Sequence, residues 1–217
     1  MHNWDRAAPI EETLRAMDDL VASGKVRYLG VSGLPAWKAA QAQTIAHFRG
    51  YAPMIAMQVE YSLFERGVER NGVLDAVREL RIGFVSYSPL GRGFLSGKLD
   101  DIDTLAPTDF RRFDPRFQDG NIRVTLRIIE RIAQIVQIAQ IAHAKQATPS
   151  QLAIAWTIEA GAVPIPGTRR VKYLEENVAA ANIVLTRDER RALDEAAPFG
   201  AAAGDRYAAA MRATLGH

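Results

Sequence analysis

The amino-acid sequence predicts an α/β protein built on a parallel sheet. Along the chain, apolar residues at helical spacing give way to short runs of β-formers and back again. The helical stretches run to about 10 to 15 residues, a length that carries the chain from one parallel strand to the next through right-handed connections. Glycine-containing loops follow two of the strands, at the sheet edge where such folds bind ligands.

Each element has its own local reasons. Pro9 to Val21 spaces Leu14, Met17, Leu20 and Val21 on one helical face. Pro9 and the acids Glu11 and Glu12 mark its start, and Ser23-Gly24 its stop. Lys25 to Ser32 (KVRYLGVS) is a short buried strand ending at Gly33, and Pro35 to His47 the next helix. Met54 to Tyr61 (MIAMQVEY) is a second strand, Glu69 to Leu80 a helix, and Ile82 to Tyr87 a third strand closed by Ser88-Pro89. A long loop, Gly91 to Gly120, then precedes a helix over Asn121 to Lys145. Loops of that length in α/β domains are functional lids or disordered segments. Pro149 to Ala160 is helical behind a Thr148 cap, Val163 to Ile165 is a fourth strand, and Val171 to Ala181 is helical. Thr186 with Glu189 three residues on is a capping box that opens the final helix.

Composition narrows the function. In 217 residues, 48% are apolar and 24% charged, values of ordinary globular chains rather than disordered or fibrous ones. A net charge of +2 gives little pull toward nucleic acid, and the arginines between 111 and 131 are interleaved with acids, as on a solvated face. The absence of cysteine excludes a disulfide framework, a cysteine zinc site and a thiol nucleophile. No basic-then-apolar leader opens the chain, and no run of about 18 apolar residues occurs. The expectation is a cytoplasmic protein with no metal site and no membrane or nucleic-acid partner.

One segment departs from a clean helix. The triplets Ile132-Ala-Gln, Ile135-Val-Gln, Ile138-Ala-Gln and Ile141-Ala-His repeat with period three, so the apolar stripe slips by about 60° per triplet and cannot all face one core. Some of these isoleucines are expected to face solvent or a partner.

Two loops are candidates for anion binding: Ser88-Pro-Leu-Gly91-Arg92-Gly93, and Pro166-Gly167-Thr168-Arg169-Arg170, which opens a helix. Backbone N–H groups at a helix start with arginine beside them favour phosphate, while a plain turn is the alternative. Two such loops on one rim suggest a nucleotide.

In these stretches the chain resembles the aldo-keto reductases. The matches are His2-x-x-Asp5 with PIEETL, GKVRYLGVSG, QVEYSLFER, SYSPLGRGFLSGK, PSQLAIAW and IPGTRRVKYLEENVAA, in the family's order and spacing. The resemblance implies a (β/α)8 TIM barrel that binds NADPH across its C-terminal rim and reduces aldehydes or ketones. It gives Ser32 and Gln58 to the nicotinamide carboxamide, although the family has Asn beside the serine and this chain has Gly33. Tyr87 would stack on the nicotinamide, with Ser88, Leu90, Gly91 and Arg92 along the pyrophosphate. Gly167, Thr168 and Arg169 would take the 2′-phosphate, with Glu176 and Asn177 at the adenine. Other readings stay open: Tyr87 as strand core, Gln58 as a satisfied buried amide, and Glu176 and Asn177 as a solvated helix face.

His2 matches the catalytic histidine that orients the carbonyl, though a frayed, solvated second residue is the alternative. The Asp, Tyr and Lys that complete the family's tetrad have no counterpart. The expectation is one incomplete barrel domain over residues 1–217, from the end of the fourth strand through the eighth βα unit plus a C-terminal helix, most simply a fragment of a longer reading frame. It would hold most of the cofactor site, lack turnover of the carbonyl substrate, and self-associate through open sheet edges. A non-catalytic NADP(H)-binding or regulatory module is the competing expectation.

Overall fold

The computed structural model describes residues 1–96, 102–118, 120–124, 126–128, 130 and 147–208. The chain forms two compact units. The first comprises Met1–Val59 and Gly67–Val85; the second comprises Glu60–Arg66 and the described residues from Ser86 to Ala208.

In the first unit, α1 (Ile10–Ala22), β1 (Leu29–Ser32), α2 (Ala36–Arg49), β2 (Met54–Glu60), α3 (Val73–Glu79) and β3 (Gly83–Tyr87) follow in order. The final residues of β2 and β3 belong to the second unit. β1, β2 and β3 are neighbours in that order, and β1 pairs with β2 in parallel, with Ser32 opposite Gln58. Leu14, Leu29, Val31, Ala39, Ala42, Met54 and Met57 form the core.

The element boundaries differ from expectation where a backbone group already has a partner. β1 begins at Leu29 rather than Lys25, because the N–H groups of Lys25 and Val26 both donate to the Leu20 carbonyl and close the end of α1. α3 begins at Val73 rather than Glu69. Gly72 there takes φ of +81°, and the Asn71 side chain accepts the Val73 N–H. The Gln43 side chain brackets the start of β2, donating to the Met54 carbonyl at 3.2 Å and accepting its N–H at 3.1 Å.

The first three residues continue the ladder beyond β1. The Met1 amine donates to Gly30 at 2.7 Å, Ser32 N–H to the Met1 carbonyl, and Asn3 N–H to the Ser32 carbonyl, each of the latter at 2.9 Å. A single parallel bridge joins His2 to Ser32. The backbone of His2 is therefore held in place while its side chain stays exposed.

The second unit contains α4 (Pro149–Glu159), β4 (Ala162–Ile165), α5 (Val171–Ala179) and α6 (Arg187–Ala196). Both expected threonine caps form complete boxes, Thr148 with Gln151 and Thr186 with Glu189. α4 is buried on every side, and Trp156, with no exposed surface, donates its indole N–H to Asp194 at 3.1 Å. The described part of the expected 91–120 loop is a chain of single turns. Asp109 and Asp114 cap two of them by accepting the N–H of Arg111 and Arg116. Residues 121–124 are helical as expected, and the isoleucine triplets at 132–143 lie outside the described residues. No helix among the described residues is long and apolar enough to cross a membrane.

Candidate functional site

In the first unit, the end of β1 is a polar corner. Ser32 is 8% exposed, Gln58 is its register partner, and Gly33 N–H donates to the Gln58 carbonyl at 3.2 Å. Gly33 takes φ of +69°, a left-handed turn that lets the chain leave the sheet at once. His2 and Asn3 lie alongside, joined to Ser32 through the backbone.

In the second unit, the Ser88 loop is a tight turn, closed by the Gly91 N–H on the Ser88 carbonyl at 2.9 Å. Ser88, Gly91, Arg92 and Gly93 all take positive φ. A Cβ on Gly91 would meet the Phe64 ring at 2.5 Å, so glycine is required for this close approach.

Arg92, expected along the pyrophosphate, spends its side chain inside the protein. Its guanidinium is 3.3 Å from Glu60 and also donates to Asp114. Glu60, 1% exposed, additionally meets Arg206 at 3.2 Å. Burial pushes the Glu60 carboxyl above its usual range, against the pull of Arg92, Arg206 and Arg116. The Tyr87 hydroxyl shares a 2.7 Å hydrogen bond with that of Tyr207, and Arg206 reaches it at 3.5 Å. Burial, reinforced by the negative charge of Glu60, pushes the Tyr87 phenol well above its ordinary value, so it stays protonated.

A groove of about 660 Å³ opens in the same unit. Of the residues expected there, Leu90, Gly167, Thr168, Arg169, Glu176 and Asn177 line it. Arg169 and Arg170 stand at the N-terminus of α5, whose first turn no side chain caps and whose Tyr173 N–H turns back to the Arg170 carbonyl at 3.0 Å. Thr168 and Arg170 close a local turn, the Arg170 N–H donating to the Thr168 hydroxyl at 3.2 Å. Glu176 already accepts the Thr148 hydroxyl at 2.7 Å, which docks α5 on the cap of α4.

Arg170 of the expected anion-binding loop also lines the groove, and sequence reasoning missed Ser96, Arg111, Ser150 and Tyr173 there. Arg111 left no local signal, because it arrives from an irregular loop, held by Asp109 through three hydrogen bonds and donating to the Arg92 carbonyl at 3.3 Å. Those bonds from Arg111 hold the Asp109 carboxyl down at about 2.

The family model for the aldo/keto reductases matches residues 1–198. The chain belongs to the aldo/keto reductase family. A probable aldo-keto reductase of Glycine max is 39% identical over 208 residues, and one from Strobilurus tenacellus is 40% identical over 211. A Schizosaccharomyces pombe aldo-keto reductase whose name carries NADP(+) is 40% identical over 209 residues. These alignments cover 95%, 95% and 93% of this chain but only 56%, 59% and 58% of the relatives, so this aldo/keto reductase chain spans a little over half their length. Among solved structures, a thermostable aldo-keto reductase bound to the inhibitor epalrestat superposes with a TM-score of 0.65 at 28% identity. It is matched over 90% of this chain and 58% of its own. The glycerol dehydrogenase of Gluconobacter oxydans gives 0.74 at 27%, over 90% of this chain and 56% of its own.

Proposed function

We propose that this aldo/keto reductase chain binds NADPH and serves the NADPH-dependent reduction of aldehydes and ketones to alcohols. The observation that carries the reading is the cationic groove. Thr168, Arg169 and Arg170 converge at an uncapped helix N-terminus, with Arg111 on the same lining, a donor set suited to a phosphate monoester. When bound, NADPH supplies the hydride that reduces the carbonyl carbon.

In the second unit, Arg169, Thr168 and Gly167 would hold the 2′-phosphate, and Asn177 and Glu176, on the same groove, would take the adenine. The left-handed turn through Ser88, Gly91 and Arg92, closed by the Gly91 N–H on the Ser88 carbonyl at 2.9 Å, is the segment this reading gives to the pyrophosphate. The Tyr87 ring, tied by its hydroxyl to Tyr207, is a fixed flat surface for stacking. In the first unit, Ser32 and Gln58 suit a primary carboxamide, and His2 offers an exposed imidazole to orient a carbonyl oxygen.

No Tyr and Lys in the family's catalytic pattern occur among the 217 residues. Without that proton donor, general acid catalysis worth about 10² to 10⁴ in rate has no source. The chain corresponds, in this reading, to a barrel from the end of its fourth strand through its eighth βα unit and C-terminal helix. It binds NADPH and does not turn over by itself. A cofactor groove in a chain that carries the family's His2 but not its Tyr and Lys also suits a non-catalytic NADP(H)-binding or regulatory module.

Fluorescence titration of the purified chain tests the reading. NADPH should bind more tightly than NADH, and Arg169→Ala should weaken NADPH about tenfold while leaving NADH nearly unchanged, as loss of a charge-assisted phosphate contact predicts. Equal affinity for the two nucleotides, or no binding of either, would overturn it. Carbonyl-dependent NADPH oxidation by the same sample would sink the non-catalytic reading.

A further inference from the structure

Gly33 is glycine for two reasons, and the second points to a binding role for its neighbour. Beyond the positive φ, the space where its Cβ would stand is already taken. That atom would lie 2.2 Å from Asn3 Oδ1 and 3.4 Å from Asn3 Cγ. Asn3 therefore puts its amide where the side chain of residue 33 would begin.

Asn3 holds this position at some cost. Its φ of +57° is left-handed, which among residues with a side chain Asn tolerates best. Its backbone is fixed by donation to the Ser32 carbonyl at 2.9 Å, so the amide is anchored and not swinging on a loose terminus. Residues 32 and 58 are register partners, and the Gly33 N–H ties residue 33 to Gln58. Asn3, Ser32 and Gln58 thus come from three adjacent segments and meet at one corner.

The side-chain polar atoms of all three have no hydrogen-bond partner among the described residues, even though Ser32 is 8% exposed. Asn3 and Gln58 are half-buried, so their amides remain open to solvent and to a ligand. Two amides and a hydroxyl left open together offer both donors and acceptors, which matches a primary carboxamide, itself one acceptor oxygen and two N–H donors.

We propose that Asn3 is a carboxamide-binding residue, supplying from the His2 segment the amide that the family resemblance places at position 33. The inference rests on the NADPH reading and names which of this chain's residues grips the nicotinamide end. Positions 3 and 33 then form an exchangeable pair: one amide fits, contributed by either residue, and two collide.

The experiment is a fluorescence titration of the full chain with NADP+ and with its acetylpyridine analogue, in which a methyl ketone replaces the carboxamide and the N–H donors are lost. The wild-type chain should prefer NADP+ by about fivefold, the worth of one neutral hydrogen bond. Asn3→Gly, which relieves the backbone strain while removing the amide, should abolish the preference. Asn3→Gly combined with Gly33→Asn should restore it, since Asn is tolerated at positive φ. Gly33→Ala tests the same contact without altering residue 3, because its Cβ would push the Asn3 amide aside, and the preference should again vanish.

Retention of the wild-type preference in any folded one of the two single variants, each checked by thermal melting, overturns the inference. So does a wild-type chain that binds both nucleotides equally. A wild-type chain that binds neither removes the NADPH reading itself, and the inference with it.

Discussion

Two polar clusters of the molecule treat similar groups in opposite ways. In the first unit, the corner of Asn3, Ser32 and Gln58 leaves its side-chain amides and hydroxyl without partners among the described residues. In the second unit, Glu60, Arg92, Asp114 and Arg206 are paired with one another. The difference follows from charge. A neutral amide at a partly exposed corner can be left to water and later to a ligand, whereas an unpaired buried ion costs several kcal/mol and is paired within the fold. Paired groups hold the unit together; open ones are free to bind.

The largest test of this contrast is Glu60→Gln. Removing the shared anion leaves Arg92 and Arg206 facing a neutral side chain, and the expected loss is about 3 kcal/mol in urea unfolding. A shift in midpoint worth less than half of that would mean the network is incidental to stability. Next in size is Thr148→Ala, which loses both the α4 cap and the contact to Glu176; roughly 1 kcal/mol is expected by the same measurement. Because the α5 groove leans on that contact, NADPH affinity should fall in parallel.

A smaller effect is expected from acid. The Asp109 carboxyl sits at about 2 because Arg111 hydrogen-bonds its charged form, below an unfolded value of about 3.9. A depressed folded value contributes stability that is full above about pH 4 and is lost as pH falls toward 2. Asp109→Asn should flatten the stability profile over that window only, and an unchanged profile would show that the pair contributes nothing. The smallest effect belongs to the open corner: Ser32→Ala should leave stability within about 0.5 kcal/mol of wild type, since no intramolecular bond is lost. A clear destabilisation would show that the corner is structural.

Much of this was legible beforehand, for identifiable reasons. The Thr148 and Thr186 caps, the glycine stops and the order of strands and helices depend on contacts between residues a few positions apart. The groove residues Thr168, Arg169, Glu176 and Asn177 were legible because one loop and the helix it opens carry them all. The start of β1 was not, because Lys25 and Val26 were claimed by a carbonyl of the preceding helix. Nor was the fate of Arg92, whose partners Glu60 and Asp114 stand 32 and 22 positions away.

The sequence by itself determined the family, the run of α/β elements and the glycine stops such as Gly33 after β1, because local backbone preference and motif spacing suffice for these. Only the tertiary structure decided which arginines are consumed in pairing, that Arg111 joins the groove, and that Asn3 fills the place left by Gly33. Each of those outcomes depends on two side chains far apart in sequence competing for one small volume, and no pattern along the chain records which of them occupies it.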